Sequence, residues 1–80
     1  MLQDIETFLT QELTKKLNRT ITKEQSYFDI GGDSMLSEYL FRKVEQEYDL
    51  LLSMDDLFTY PILSELSNFI YTSISDSNKS

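Results

Sequence analysis

An all-α fold, a small bundle of three longer helices and one short one, is what the pattern of this chain predicts. Two observations carry that reading. Apolar residues recur at helical spacing in three separate stretches. Only two glycines and one proline interrupt the 80 residues, so the breaks between stretches are few and easy to place.

The first stretch runs from Leu2 to Asn18, with Leu2, Ile5, Phe8, Leu9, Leu13 and Leu17 on one side. Asp4 and Glu6 fall in its first turn, and Lys15, Lys16 and Arg19 at or just past its end, placements that suit the helix dipole. Residues 19–33 keep no period and form a loop of about 15 residues, uncommon in a small domain and often functional. Tyr27 and Phe28 are expected to plug that loop onto the core, with Ile30 beside them. Gly31 and Gly32 supply backbone freedom, including positive φ, and Asp33 is a good N-cap.

A second helix follows from about Ser34 to Tyr48. Projected at about 100° per residue, Ser37, Leu40, Phe41, Val44 and Tyr48 form the inward stripe. Met35, Glu38, Tyr39 and Arg42 project to the opposite side, and Glu38 and Arg42 form an i,i+4 pair. Ser53-Met54-Asp55-Asp56 reads as a capping box for a short helix carrying Leu57 and Phe58. Pro61 suits the first position of a fourth helix, where Ile62, Leu63, Leu66, Phe69, Ile70 and Ile74 give the period. Residues 1–74 thus form one domain, and 75–80 are expected to be a disordered polar tail or linker remnant.

Composition narrows the function. The apolar share is 40% and the charged share 26%, an ordinary globular balance. A net charge of −7 disfavours nucleic acid and anionic membrane surfaces as partners. It fits either plain solubility or partners that carry basic patches. No apolar run approaches the roughly 18 residues of a membrane span, and the N-terminus lacks the pattern of a signal peptide. Without cysteine there is no disulfide, thiolate metal site or thiol chemistry, and a cytosolic setting is the default.

Catalysis by the chain itself is not expected. A triad needs a base, usually histidine, and the chain has none. Lys43 lies more than two turns from Ser34, too far for a Ser-Lys pair. Asp29 and Asp33 as an acid–base pair would need a substrate cleft that a chain this small has little room for. Asp29-x-Gly31-x-Asp33 hints at a calcium loop, but Ser34 and Leu40 occupy the places of its required glycine and glutamate. The Gly-Lys-Ser/Thr of a P-loop is absent. Ser34 remains, a hydroxyl at a helix start where free N–H groups favour an attached anion such as a phosphodiester. Two glycines before it remove side chains that would obstruct a modifying enzyme. Taken alone, the tetrapeptide Gly31-Gly32-Asp33-Ser34 is a turn and a cap.

Its surroundings change that. Phe28-Asp29-Ile30-Gly31-Gly32-Asp33-Ser34-Met35 resembles the core motif of carrier domains in nonribosomal peptide synthetases and polyketide synthases, F-F-D-L-G-G-D/H-S-L. Downstream, the segment from Asp56 to Leu66 resembles that family's L-F-x-x-P-T-I-x-x-L, at a matching separation. The resemblance covers about residues 2–74 and implies an acyl-carrier-protein-like fold and a non-catalytic carrier. A phosphopantetheinyl transferase, with magnesium and coenzyme A, would join 4′-phosphopantetheine to Ser34 as a phosphodiester. The thiol of that arm would carry aminoacyl, peptidyl or acyl groups as thioesters between partner sites.

Asp33 then matches the residue beside the serine and becomes a helper for the transferase's metal as well as a cap, with Gly32 completing the attachment turn. Met35, Tyr39, Glu38 and Arg42 become a docking face. Phe58 is a candidate for that face, although a core role is the stronger reading, and Phe28, Ile30 and Leu57 are read as core. Implied partners are adenylation, condensation, epimerisation, thioesterase or ketosynthase domains, with the carrier itself a monomeric domain.

Departures from the pattern are Tyr27 for the first phenylalanine, Ile30 for leucine, Met35 for the leucine after the serine, and Ile62 for the threonine after Pro61. The polar tip of Tyr27 should reach water or a partner. The double glycine points to a peptidyl carrier of a nonribosomal peptide synthetase, with an acyl carrier of a polyketide or hybrid synthase as alternative. Asp in place of His before the serine is associated with modules that feed an epimerisation domain. The reading from a different class is an unmodified helical module that binds partners through Met35 and Tyr39.

Overall fold

Ile5, Leu9 and Leu13 recur every four residues and are buried along one side of α1, Leu2–Leu17. The helix stops at Asn18, whose backbone turns left-handed (φ 57°, ψ 41°), a conformation asparagine tolerates better than most residues. The computed structural model describes residues 1–77 and contains three further helices. These are α2 (Ser34–Tyr48), α3 (Met54–Thr59) and α4 (Leu63–Ser77). Asp49 closes α2 as Asn18 closes α1, at φ 56° and with its N–H donating to the Glu45 carbonyl at 2.9 Å.

The core gathers at the centre of these helices. Ile5, Leu9 and Leu13 of α1 meet Leu40 and Val44 of α2, Leu57 of α3, and Leu63, Leu66 and Ile70 of α4. α1 packs most extensively on α4 and also touches α2. The stripe expected on α2 faces inward, with Ser37, Leu40 and Val44 buried and Phe41 and Tyr48 half-buried. Leu36, outside the expected stripe, is buried too. The capping box before α3 forms, the Asp56 carboxylate accepting the Ser53 N–H at 2.9 Å.

The long loop, 18–33, is tied down rather than free. A helix N-terminus leaves its first N–H groups without intrahelical partners. Here the loop supplies them: Leu63 N–H donates to the Gln25 carbonyl at 3.0 Å and Ser64 N–H to that of Lys23 at 2.8 Å. An antiparallel bridge between Ser26 and Ile62 sits beside these bonds. That arrangement corrects the place given to Pro61. The bridge holds residues 61–62 extended, so α4 starts at Leu63, and the Pro61 carbonyl accepts the Tyr27 N–H at 2.7 Å.

Ser67 of α4 is fully buried, with its hydroxyl donating to the Leu63 carbonyl at 2.8 Å. The helix continues through Ser75–Ser77, three residues into the segment read as a polar tail, and 78–80 lie outside the described residues. Among the described residues, no helix is long and apolar enough to cross a membrane.

Candidate functional site

Tyr27 is the residue on which the turn before α2 is built. It is completely buried. Its hydroxyl donates to Ser37 Oγ at 2.7 Å, and Ser37 Oγ donates to the Asp33 carbonyl at 2.7 Å. The same phenol lies 3.3 Å from that carbonyl. Its own carbonyl accepts the Gly32 N–H at 3.0 Å. Burial, with a smaller contribution from the Asp33 charge, pushes the phenol above 10.0, so it stays a neutral donor. The polar tip expected to seek water or a partner is satisfied inside the chain, because α2 presents a serine rather than an apolar residue opposite it.

The two glycines serve different ends. Gly31 adopts φ +96°, the region that favours glycine, and a Cβ built there would meet open space. A Cβ on Gly32 would fall onto the ring edge of Tyr27 and within 2.6 Å of the Tyr27 carbonyl. Gly32 is therefore demanded by core packing.

Asp33 is the N-cap of α2, its Oδ1 accepting the Leu36 N–H at 2.8 Å. Because Asp33 makes the cap, Ser34 at the first helical position is left out of it and stands exposed. The N–H groups of Ser34 and Met35 have no intrahelical acceptor, and they lie at the positive end of the helix dipole. An open cleft of about 250 Å³ adjoins the serine, lined by Lys16, Leu17, Gly31, Asp33, Met35 and Leu36. An exposed hydroxyl with anion-favouring N–H groups beside it and clear space over Gly31 fits a covalently attached phosphodiester arm. Among the described residues, no group of His, Cys, Asp and Glu is placed to hold a metal ion.

Three expectations about the surrounding face are corrected. Phe28, read as core, is exposed; Tyr27 occupies the interior, and the Phe28 ring packs edge-on against it at 5.4 Å. Phe58, for which a core role was the stronger reading, is 63% exposed and stacks on Phe28 with ring centroids 5.3 Å apart. Leu57 is the buried residue of α3, and Met54 packs partly buried against the same core. Tyr39, expected to project outward, is half-buried. Its hydroxyl crosses to α1 and donates to Glu12 Oε1 at 2.8 Å, with Lys16 Nζ 4.8 Å and Lys43 Nζ 5.6 Å from its ring centroid. Met35, Glu38 and Arg42 are exposed as expected.

Burial alone would raise the Glu12 carboxyl. The hydrogen bonds from Tyr39 and Lys15 and the charges of Lys15 and Lys43 outweigh it and hold the group below 4.5. The Tyr39 phenol is pushed above 10.0, by burial first and then by the Glu12 carboxylate.

The comparisons with known proteins agree with this geometry. The model of the family described as "Phosphopantetheine attachment site" matches residues 7–70. The chain belongs to that family. Members of the phosphopantetheine attachment-site family bear 4′-phosphopantetheine, and this carrier domain is 30% identical over 77 residues to the bassianolide nonribosomal cyclodepsipeptide synthetase of Beauveria bassiana. That match covers 96% of the chain and 2% of the synthetase. Cyclosporin synthetase simA of Tolypocladium inflatum is 30% identical over 69 residues, 86% of the chain. The carrier domain thus spans 2% or less of the length of these multidomain relatives. Its fold is that of BlmI, a type-II acyl-carrier-protein from Streptomyces verticillus involved in bleomycin biosynthesis, at a TM-score of 0.81 and 16% identity. That likeness covers 91% of this chain and 89% of BlmI.

Two predictions follow from the packing. Gly32→Ala destabilises the domain by about 1–3 kcal/mol through overpacking against Tyr27, as measured by urea denaturation. Tyr27→Ala in the same background removes the obstructing ring, so the double variant loses less than the sum of the single losses. Additive losses would mean that the ring is not what Gly32 avoids. The second concerns Glu12. Because its folded-state value lies below the unfolded one, its contribution is present above 4.5 and is lost as pH falls through the folded value. The stability difference between wild type and Glu12→Gln therefore shrinks as pH is lowered past that point. A difference independent of pH would contradict the assignment.

Proposed function

We propose that the chain is a peptidyl carrier domain of a nonribosomal peptide synthetase, with Ser34 the residue that takes the arm. The observation that carries this reading is the position of Ser34. It is an exposed hydroxyl at the first turn of α2, relieved of capping by Asp33 and set on a turn that Tyr27 anchors. The nonribosomal synthetases among its relatives support the peptidyl class, since the resemblance to them covers nearly the whole chain.

In the attachment step a phosphopantetheinyl transferase with magnesium and coenzyme A is the partner. The Ser34 oxygen forms a bond to the phosphorus nearer the pantetheine, and the phosphoanhydride bond breaks. Adenosine 3′,5′-bisphosphate leaves, and the hydroxyl proton passes to a base on the transferase, since the chain has no histidine. The chain's own contribution is positioning. Asp33 keeps the first turn intact through Oδ1 and leaves its second oxygen for the transferase's metal. The unpartnered N–H groups of Ser34 and Met35 face the new phosphodiester.

Once attached, the arm supplies the terminal thiol that a cysteine-free chain lacks, and so holds an aminoacyl or peptidyl group as a thioester. The domain itself then performs no catalysis. Met35, Glu38 and Arg42 on α2, with Phe58 and Phe28 stacked beyond the loop, are the groups we assign to docking adenylation, condensation, epimerisation or thioesterase partners. Met35, next to Ser34 in the chain, and the Phe28–Phe58 pair are large apolar side chains held at the surface, which supports that assignment.

Intact-protein mass spectrometry after incubation with coenzyme A, magnesium and a promiscuous transferase tests the reading. Wild type gains a single arm and Ser34→Ala gains none. Because Asp33 makes the cap, the substitution changes stability by no more than about 0.5 kcal/mol, so the loss is not one of folding. Addition to Ser34→Ala would move the site elsewhere, and no addition to either protein would favour an unmodified interaction module.

A further inference from the structure

The charge of this chain is unevenly spread in a way its total conceals. Fourteen acidic residues outnumber seven basic ones. Five of those seven, Lys15, Lys16, Arg19, Arg42 and Lys43, come from the C-terminal end of α1, the residue just past its cap, and the middle of α2. The ion pairs separate them further. Lys15 is neutralised by Glu12 at 3.3 Å, and Lys23, outside the group, by Glu6 at 3.5 Å. Among the described residues, Lys16, Arg19, Arg42 and Lys43 pair with no carboxylate.

Tyr39 organises this excess. Lys16 from α1 and Lys43 from α2 both lie over its ring, where the π face offsets part of their mutual repulsion. Its hydroxyl is meanwhile committed to Glu12, the carboxylate that faces the pair, and Glu12 is already shared with Lys15. Arg19 is fixed by its own hydrogen bond, Nη2 donating to the Ile30 carbonyl at 2.6 Å in the loop that leads to Ser34. The flank also reaches the attachment end. Lys16 lines the same cleft as Gly31, Asp33 and Met35.

We propose that this α1–α2 flank recognises a carboxylate-rich surface on an enzyme that approaches Ser34. The inference rests on the reading of Ser34 as the attachment residue. Lys16 is exposed and Lys43 half-buried, and Glu12, the carboxylate that faces them, is already bonded to Tyr39 and Lys15, so a partner placing Asp and Glu against Lys16 and Lys43 gains charge-assisted contacts that a basic partner would not. The net charge of −7 alone points to basic partners. Where Lys16 and Lys43 converge on Tyr39 the local sign is the reverse, and it selects the opposite kind of surface. Two signs on one small domain also orient an approaching partner, since only one direction of approach is attractive.

The test is a titration of the ¹⁵N-labelled full chain with a glutamate-rich peptide, with a lysine-rich peptide as control, followed by amide chemical shifts. The glutamate peptide shifts amides at 12–19 and 35–43. Those shifts fade between about 20 mM and about 300 mM salt, as screening shortens the reach of the charges. They are lost in Lys16→Glu/Lys43→Glu and weakened in Lys16→Gln/Lys43→Gln, both with unchanged circular dichroism. Shifts that map elsewhere, that persist in the charge-reversed variant, or that the lysine peptide reproduces on this flank would overturn the proposal. Arm attachment is followed by mass on the same samples, so a failure of the Ser34 reading appears there and not in the shifts.

Discussion

Everything that positions the candidate site passes through one buried phenol. Tyr27 binds the loop to three places at once: its N–H to Pro61 before α4, its carbonyl to Gly32 before α2, and its hydroxyl to Ser37 within α2. A loop of this length would otherwise leave Ser34 at the end of a flexible tether. With the ring inside, the loop carbonyls can also complete the N-terminus of α4, so the start of two helices depends on where one side chain goes. Phenylalanine, usual at this place in the resembling motif, would fill the same volume without the bond to Ser37. The extra hydroxyl therefore comes with a polar partner already built into α2.

The consequence is a division of labour among adjacent residues. Asp33 satisfies the helix, Gly32 makes room for the ring, Gly31 bends the backbone, and Ser34 is left with no structural duty. A residue without a structural duty can in principle be modified without disturbing a fold. Around it the surface has two characters. The Phe28–Phe58 stack exposes aromatic area, while Tyr39 is drawn down onto α1 and gathers lysines. The α2 face read as uniformly outward is thus broken by α1, which draws Tyr39 in and leaves Met35, Glu38 and Arg42 exposed.

The helical stripes were legible because period and burial coincide: Ile5, Leu9, Leu13, Leu40, Val44, Leu66 and Ile70 lie where the spacing put them. Ser34 stands exposed at the start of α2, where the motif of adjacent residues put it. What spacing could not decide was sidedness where there is no period. Tyr27 and Phe28 are neighbours in a loop, and which ring goes in depends on the space that Gly32 leaves. Leu57 and Phe58 share a helix of six residues, too short for a stripe to form. Tyr39 was misread because its fate is set by Glu12, 27 positions upstream, a contact no local pattern contains. Pro61 followed a sound rule for helix starts, but the Ser26–Ile62 bridge, a tertiary event, moved the start to Leu63. The cationic flank was hidden for the same reason, since its lysines meet only once α1 and α2 pack.

The loop before Ser34 is held as firmly as the helices it joins. Native-state hydrogen exchange of the Gly32 and Tyr27 amides tests it most directly, because these two N–H groups donate to Tyr27 and Pro61 across the anchor. Both amides are expected to exchange only through global unfolding, with protection equal to that of amides in the middle of α2. Fast exchange at Gly32 and Tyr27 while α2 stays protected would show a loop that opens by itself, and would contradict the view that a rigid anchor presents the serine.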